Sequence, residues 1–522
     1  MRKKISKVLS VFLALGCGLV GVACNGTSTE EKRNALCIEV FKGGYGVDWV
    51  YALADKYTQK TGQNVIITVQ VGNLGVSNMT TNLNSLATET DLFFTKMNAS
   101  FCSEIYKGTR SINGQRYDCL YADVTDLYNS EIEGEGVLYK DKIFSSYNDY
   151  YNVDGKYYTT SWVSGMVGII VNMDVWNSSW QFPRTTDELL ELCGTIESDS
   201  GDLAPFIYSA SDEYWTMLSQ IWMNQYEGNE QMDNFYAGYD YDGKRYSDNM
   251  VAYDGYYEML KFYEKLLKKE NGYMHSASKD ADFTNMQGMF LQGKAVMTPN
   301  GDWLEREMLY NYPDANIKMI KTPIISALAN KCSFANAEDA ETKLRALVDY
   351  VDANASGYAD MPSGCTEADV DIVREARSVQ YTAGAEHCTI IPCYSNQIEA
   401  AKDFLLFMAS DEGMKIYREN TSGGELPFTA TTTTTSTQSY TSFRQSVTSI
   451  ISSSNMRFIQ MKDKIYTIGG INPYLTNNSY GGFVTCFSAE SSSDYVSADA
   501  YYQAEVLKVK NMLPSAKRLC GL

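Results

Sequence analysis

The chain has 522 residues, 44% hydrophobic and 21% charged, which supplies a large core and at least two domains. Its formal charge of −20 argues against a nucleic-acid partner and against a polybasic membrane contact. With two histidines, His275 and His387, it is poorly equipped for histidine-based metal or triad chemistry.

Met1 to Lys7 is basic, and Val8 to Ala23 is an apolar run of secretory length, too short and too rich in small residues for a comfortable membrane span. Removing residues 1–23 takes away Arg2, Lys3, Lys4 and Lys7 and brings the charge from −20 to about −24. The run Gly21-Val22-Ala23-Cys24, followed by polar residues to Asn34, resembles a bacterial lipoprotein signal. On that resemblance 1–23 is a signal peptide, Cys24 carries the lipid and 24–35 is a tether. Gly21 stands where such signals usually have Leu, and Cys17 competes as the modified residue; cleavage there would leave an apolar segment on the mature chain, so Cys24 is preferred. Ten cysteines follow Cys24, and an exported compartment permits disulfides. Cys102 and Cys119, which bracket a short insertion, form the first candidate pair. Cys388 and Cys393 lack zinc spacing and read as core or disulfide.

Residues 36–100 predict a β-α-β-type start. Leu36 to Phe41 is a buried strand and Gly43-Gly44-Tyr45-Gly46 a loop; Asp48 can cap a helix with Val50, Leu53, Ala54 and Tyr57 on one face, closed by Gly62. Val65–Val71 and Asp91–Phe94 are the next strands. This order implies a parallel sheet whose ligand edge lies at the strand carboxyl ends. The glycine loop lacks both the Lys-Ser/Thr of a phosphate loop and dinucleotide spacing. Gly155–Asn172 reads as strand, loop around Trp162 to Gly165, and strand. Pro183-Arg-Thr-Thr-Asp-Glu-Leu189 opens a helix capped by Thr185 or Thr186, and Tyr253–Lys269 is a helix ended by Gly272. In Gly293-Lys-Ala-Val-Met-Thr-Pro-Asn-Gly-Asp-Trp303 a short buried strand ends in a glycine turn that delivers an indole to a helix start. That is a sensible cleft edge, although a Trp plugging the core fits equally. Ala400–Met408 is amphipathic, and Thr429–Thr437 reads as an exposed loop or linker.

Five of these segments, in order, resemble the carbohydrate-type (family 1) extracellular solute-binding proteins of ABC importers, the group that includes maltose-binding protein. They are the Leu36 strand with its loop and helix, Gly155–Asn172, Pro183–Leu189, Gly293–Trp303, and Ala400-Ala-Lys-Asp-Phe-Leu405 to Asp411-Glu-Gly-Met-Lys-Ile-Tyr417. The resemblance implies an α/β, two-lobed periplasmic-binding-protein-like fold, each lobe a mixed, mainly parallel sheet flanked by helices. The expected N-lobe is 36–156 plus about 322–410, and the C-lobe 157–321 plus about 411–522. It places Trp303 on the cleft as a sugar platform, with Trp162 as a further cleft aromatic. Sugar rings have apolar faces and polar edges, so such sites mix aromatics with polar groups. Tyr45 and Asn73 sit at N-lobe strand ends, where ordinary turn chemistry is the alternative. Lys96 could bond hydroxyls or be solvated, Trp215 could be a second platform or core, and Asp302 could bond ligand or cap a helix.

The resemblance further implies a monomeric binding protein with no enzymatic activity, cofactor or metal. It would sit on the outer face of the bacterial membrane through its N-terminal lipid alone, and hand a carbohydrate to ABC permease subunits. The chain carries no Walker motif. Two segments depart from the compact family pattern, an acidic helical insertion at 324–395 and an extension from Thr429 to Leu522. A glycan-active enzyme would require paired carboxylates across a cleft, and no such motif is recognisable. A surface glycan-binding or sensor lipoprotein is the other alternative.

Overall fold

The computed structural model describes residues 34–71, 81–85, 88–96, 105–112, 114–201, 203–209, 214–354, 356–384, 387–421, 424–432, 440–471, 482–489, 491 and 493–522. The leader, Cys24, Asn73 and Cys102 lie outside the described residues.

Strand β1 (Leu36–Lys42) buries Leu36, Ile38 and Val40 on one face, as its alternation requires. The glycine loop leads to helix α1 (Asp48–Thr61), which buries Trp49, Val50, Leu53, Ala54 and Tyr57 and stops at Gly62 with φ 76°. Asp48 is the first helical residue rather than the cap, which is Val47. Strands β2 (Val65–Val71) and β3 (Leu92–Lys96) flank β1, both parallel to it.

The second sheet is built on β4 (Val167–Asn172), which is buried along its whole length. The helix from Thr186 is capped by Thr185, as the sequence predicts. Helix α2 (Tyr214–Glu227) and strand β5 (Ala295–Gly301) follow, and β5 leads into the short helix α3 (Leu304–Met308). This sheet runs Ala204–Phe206, β5, β4, Ile317–Ile320. The chain then returns to the first sheet with β6 (His387–Ile390), antiparallel to β3, giving the order β6-β3-β1-β2. Both sheets are mixed; the first is mainly parallel, whereas in the second only the Ala204–Phe206 pairing with β5 is parallel. The antiparallel β4/β5 pair has a positional consequence. Val167 at the start of β4 faces Gly301 at the end of β5, so the turn after β5 emerges beside the segment by which the chain enters this lobe.

Three apolar clusters result. The first gathers residues between Leu36 and Val163 with Cys388 to Phe428 and Phe458; the second spans Val167 to Tyr381 and Ile465 to Ala516, and a smaller third, Met166 to Met319 with Phe443 to Met456, covers the other face of the second sheet. Among the described residues the chain passes between the lobes at 163–166, 381–388 and 428–443, and Phe458 packs back into the first core; the first two segments bridge at Ser161–Cys388 and Met166–Thr382. These cores redraw the expected lobe boundaries. Residues 324–381 had been expected in the N-lobe, yet Ile324, Leu344, Leu347, Val370, Val373 and Tyr381 pack into the C-lobe core. Conversely, 411–428 belongs with the N-lobe, because helix α4 (Asp411–Asn420) lies on α1 with Tyr417 against Trp49 at 5.1 Å. Both long helices of the acidic insertion have one apolar face, and both faces pack into the C-lobe core.

Lys142 ties the N-lobe boundary down. It is 1% exposed and is shared between Glu135 and Asp411, the latter at 2.7 Å. Burial alone would raise Asp411, but hydrogen bonds from Lys142, Thr432 and Thr431 hold its carboxyl well below the usual range. The threonine-rich stretch is therefore anchored at its start, with Thr431 and Thr432 both donating to Asp411. Removing a buried partner strands the two carboxylates. Lys142→Met should lower the unfolding free energy by about 3–5 kcal/mol in urea melts; a loss below about 1 kcal/mol would mean the cluster behaves as an exposed pair.

Candidate ligand site between the lobes

The turn that ends β5 carries Asp302 and Trp303 onto the loop that follows β1. Tyr45, 2% exposed, donates its hydroxyl hydrogen to Asp302 Oδ1 at 3.0 Å, a buried bond from one lobe to the other. Trp303 is half-buried and packs against the first and second clusters. Its ring stands edge-on to Tyr45 at 5.7 Å, and its Nε1 donates to the Tyr214 hydroxyl at 3.3 Å. Two glycines make these approaches possible. A Cβ at Gly44 would lie 2.7 Å from the Trp303 side chain, and one at Gly165 would lie 1.7 Å from the Tyr45 hydroxyl. At the rim, Arg306 of α3 reaches Asp48 of α1 at 2.8 Å, an exposed ion pair that adds little energy.

Beneath this contact lies an aromatic floor. Trp162 is fully buried, stacks on Trp49 at 5.3 Å and donates its Nε1–H to the Thr95 carbonyl at 3.0 Å. His387 meets Trp162 at 4.9 Å and Tyr45 at 5.3 Å. Burial, with the nearby Lys96 charge, pushes His387 down to about 3, so it is a neutral imidazole at physiological pH. Burial pushes Asp302 up to about 7, against opposing contributions from the Arg444 charge and the Tyr45 hydrogen bond. Asp302 Oδ2 and Asn300 Nδ2 are buried without a hydrogen-bond partner among the described residues. An acceptor and a donor two residues apart, beside an indole, form a pattern suited to neutral hydroxyl groups.

The structure brings together Tyr45, Trp162, Asp302 and Trp303. Lys96 is exposed at the end of β3, opposite His387 in register, and its charge is felt by Glu307 of α3. Trp215 is elsewhere. It is 1% exposed and packs on Phe206, Tyr208 and Tyr263, which realises its core alternative. Successive helical residues point about 100° apart, so on α2 it is Tyr214 that reaches the site. The stripe Trp215, Leu218, Trp222 carried that signal in the sequence. Asp302 does not cap α3, whose N-cap is Trp303 without a side-chain bond. His387, Arg444 and Gly165 had no local signal, because each becomes part of the site only through contacts distant in sequence.

Two α/β lobes joined by crossing segments, with a polar and aromatic contact between them, define the bilobal solute-binding architecture. The chain belongs to the bacterial extracellular solute-binding protein family, whose model matches residues 43–415. No curated sequence matches it. Among solved structures it is similar to the apo form of RafE from Streptococcus pneumoniae, at 15% identity, TM-score 0.58, covering 92% of this chain and 98% of that one. It is likewise similar to RafE in complex with raffinose, at 16% identity, TM-score 0.56, covering 92% and 100%. A third similar structure is the open conformation of the binding protein MsmE from Bacillus subtilis, at 14% identity, TM-score 0.54, covering 92% and 98%. At these identities the likeness concerns the fold.

The Asp302 environment sets a pH dependence. Its carboxyl keeps a proton up to about 7 in the folded chain but releases it near 3.8 when unfolded, so the folded state binds more protons between those values. Stability contributed by this group therefore falls as pH rises through that window. Asp302→Asn, which can still accept from Tyr45, should gain on the parent between pH 4 and pH 8 by at most about 4 kcal/mol. Denaturant melts across that range would show it, and a pH-independent difference would refute the burial argument.

Proposed function

We propose that this protein captures a sugar or oligosaccharide between its lobes and delivers it to the permease of an ABC importer, held at the outer face of the membrane by lipid on Cys24. The observation that carries the reading is Trp303, an indole packed against both lobes and against Tyr45, whose hydroxyl bonds the buried Asp302. An aromatic face beside neutral donors and acceptors suits a pyranose ring, which is apolar on its faces and hydroxylated at its edges. The family membership, and a similar fold holding raffinose in RafE, support it. Ligand that contacts both lobes would shift the population toward the closed form, and the permease would recognise that form. Tyr45, Trp303, Asp302 and Lys96 are the residues assigned to ligand, with Trp162 as their support and Asn73 retained as a candidate. The protein acts as a monomer without a cofactor.

A thermal-shift screen over mono- and oligosaccharides tests this, since a ligand bound to the folded state raises Tm by mass action. For any sugar that shifts the parent, Trp303→Ala should weaken binding by roughly 30-fold or more, the effect of a central aromatic contact. A folded variant that binds unchanged would remove Trp303 from the site, and recovery of cleaved sugar would favour an enzyme instead. Anchoring is separable. Cys24→Ser should move the protein from the membrane fraction to the soluble exported fraction, and retention on the membrane would exclude Cys24 as the lipid site.

A further inference from the structure

The helical insertion that joined the C-lobe core contains two cysteines brought together by one carboxylate. Asp369 caps the helix Glu367–Ser378 in a reciprocal box with Thr366, accepting from the Thr366 backbone N–H at 2.8 Å. The same Asp369 accepts from the Ser333 backbone N–H at 2.7 Å and from the Ser333 hydroxyl at 2.6 Å. Cys365 immediately precedes Thr366, and Cys332 immediately precedes Ser333. Two chain segments thus meet at a single side chain, each with a cysteine one residue upstream of the contact. Both cysteines also pack into the same apolar core. They are close enough for charge on the Cys365 sulfur to raise the Cys332 thiol. Among the described residues no group of three or more His, Cys, Asp or Glu side chains is placed to hold a metal ion, so the pair has no set of metal co-ligands.

We propose that Cys332 and Cys365 form a disulfide in the exported protein. The family is extracellular, and that side of the membrane is where such bonds persist. The bond would close a loop within the insertion that holds the helix Ala340–Ala353. Cys365 is half-buried and Cys332 is buried, so Cys365 is the thiol that meets an oxidant first. Its thiolate attacks a disulfide donor and forms a mixed disulfide, releasing one donor thiol. Cys332 then loses its proton and displaces the second donor thiol, closing the Cys332–Cys365 bond. Two electrons and two protons pass to the donor, which is reduced to two thiols. Burial pushes the Cys332 thiol up to about 12, so the second step is favoured before the insertion finishes packing.

The test uses the full chain expressed with its own leader, its thiols blocked by iodoacetamide at lysis, and peptide mapping without reduction. A linked peptide pair containing Cys332 and Cys365, with neither alkylated, is the expected result. Alkylation of both, or linkage of either to another cysteine, overturns the proposal. The same protein, reduced and refolded with oxidised glutathione, should give the internal bond. Separate glutathione adducts on both cysteines would also overturn it. The double variant Cys332→Ser, Cys365→Ser should melt like the reduced parent and below the oxidised parent; equal Tm for all three refutes a stabilising bond.

Discussion

A carboxylate withdrawn from water needs hydrogen-bond donors or a counter-charge, and Asp302 draws its hydroxyl donor from the opposite lobe and its counter-charge from its own. Tyr45 comes from the loop after β1 and donates directly, while Arg444, on the helix Ser442–Ser452, follows the last crossing segment and acts through its charge. The Tyr45 contact is possible only because Gly165 leaves room for the hydroxyl. Neither favourable contribution outweighs desolvation, since the group ends near 7. Burial thus keeps Asp302 far more readily protonated near neutral pH than an exposed carboxylate.

The aromatic residues divide into a scaffold and an edge. Trp49, Phe94, Trp162 and Tyr417 interlock below the surface, and the Trp162 indole nitrogen is satisfied by a backbone carbonyl. Buried side chains of that size each contribute several kcal/mol, about 3–5 by truncation. Tyr45, Tyr214 and Trp303 stand at the upper edge of this floor, and each keeps a polar atom engaged with another residue of the site. Packed aromatics beneath and polar contacts above hold the Tyr45 and Trp303 side chains in place.

The insertion and the threonine-rich stretch illustrate the same economy at the periphery. Each is held by one carboxylate with several donors, buried Asp369 for the first and partly buried Asp411 for the second. An acidic chain has many carboxylates to spare, and those that gather backbone amides organise segments that local propensity leaves undefined.

Local pattern was enough for much of this protein. The alternation of Leu36 to Phe41, the helix with its Gly62 stop, the Thr185 cap and the strand leading to Asn300-Gly301-Asp302-Trp303 are all legible, because each depends on side chains within a turn or two of one another. The family resemblance rests on those same segments, and so does the position of Trp303 at the lobe boundary. Tertiary structure alone decided which lobe received residues 324–381 and 411–428, since an amphipathic helix states that it needs a core without stating which one. It alone decided that Trp162 would lie as scaffold, and that Tyr214 rather than Trp215 would reach the site. It alone brought His387 and Arg444 to Tyr45 and Asp302. Those residues meet through chain crossings hundreds of positions apart, and sequence spacing carries no record of distances in space.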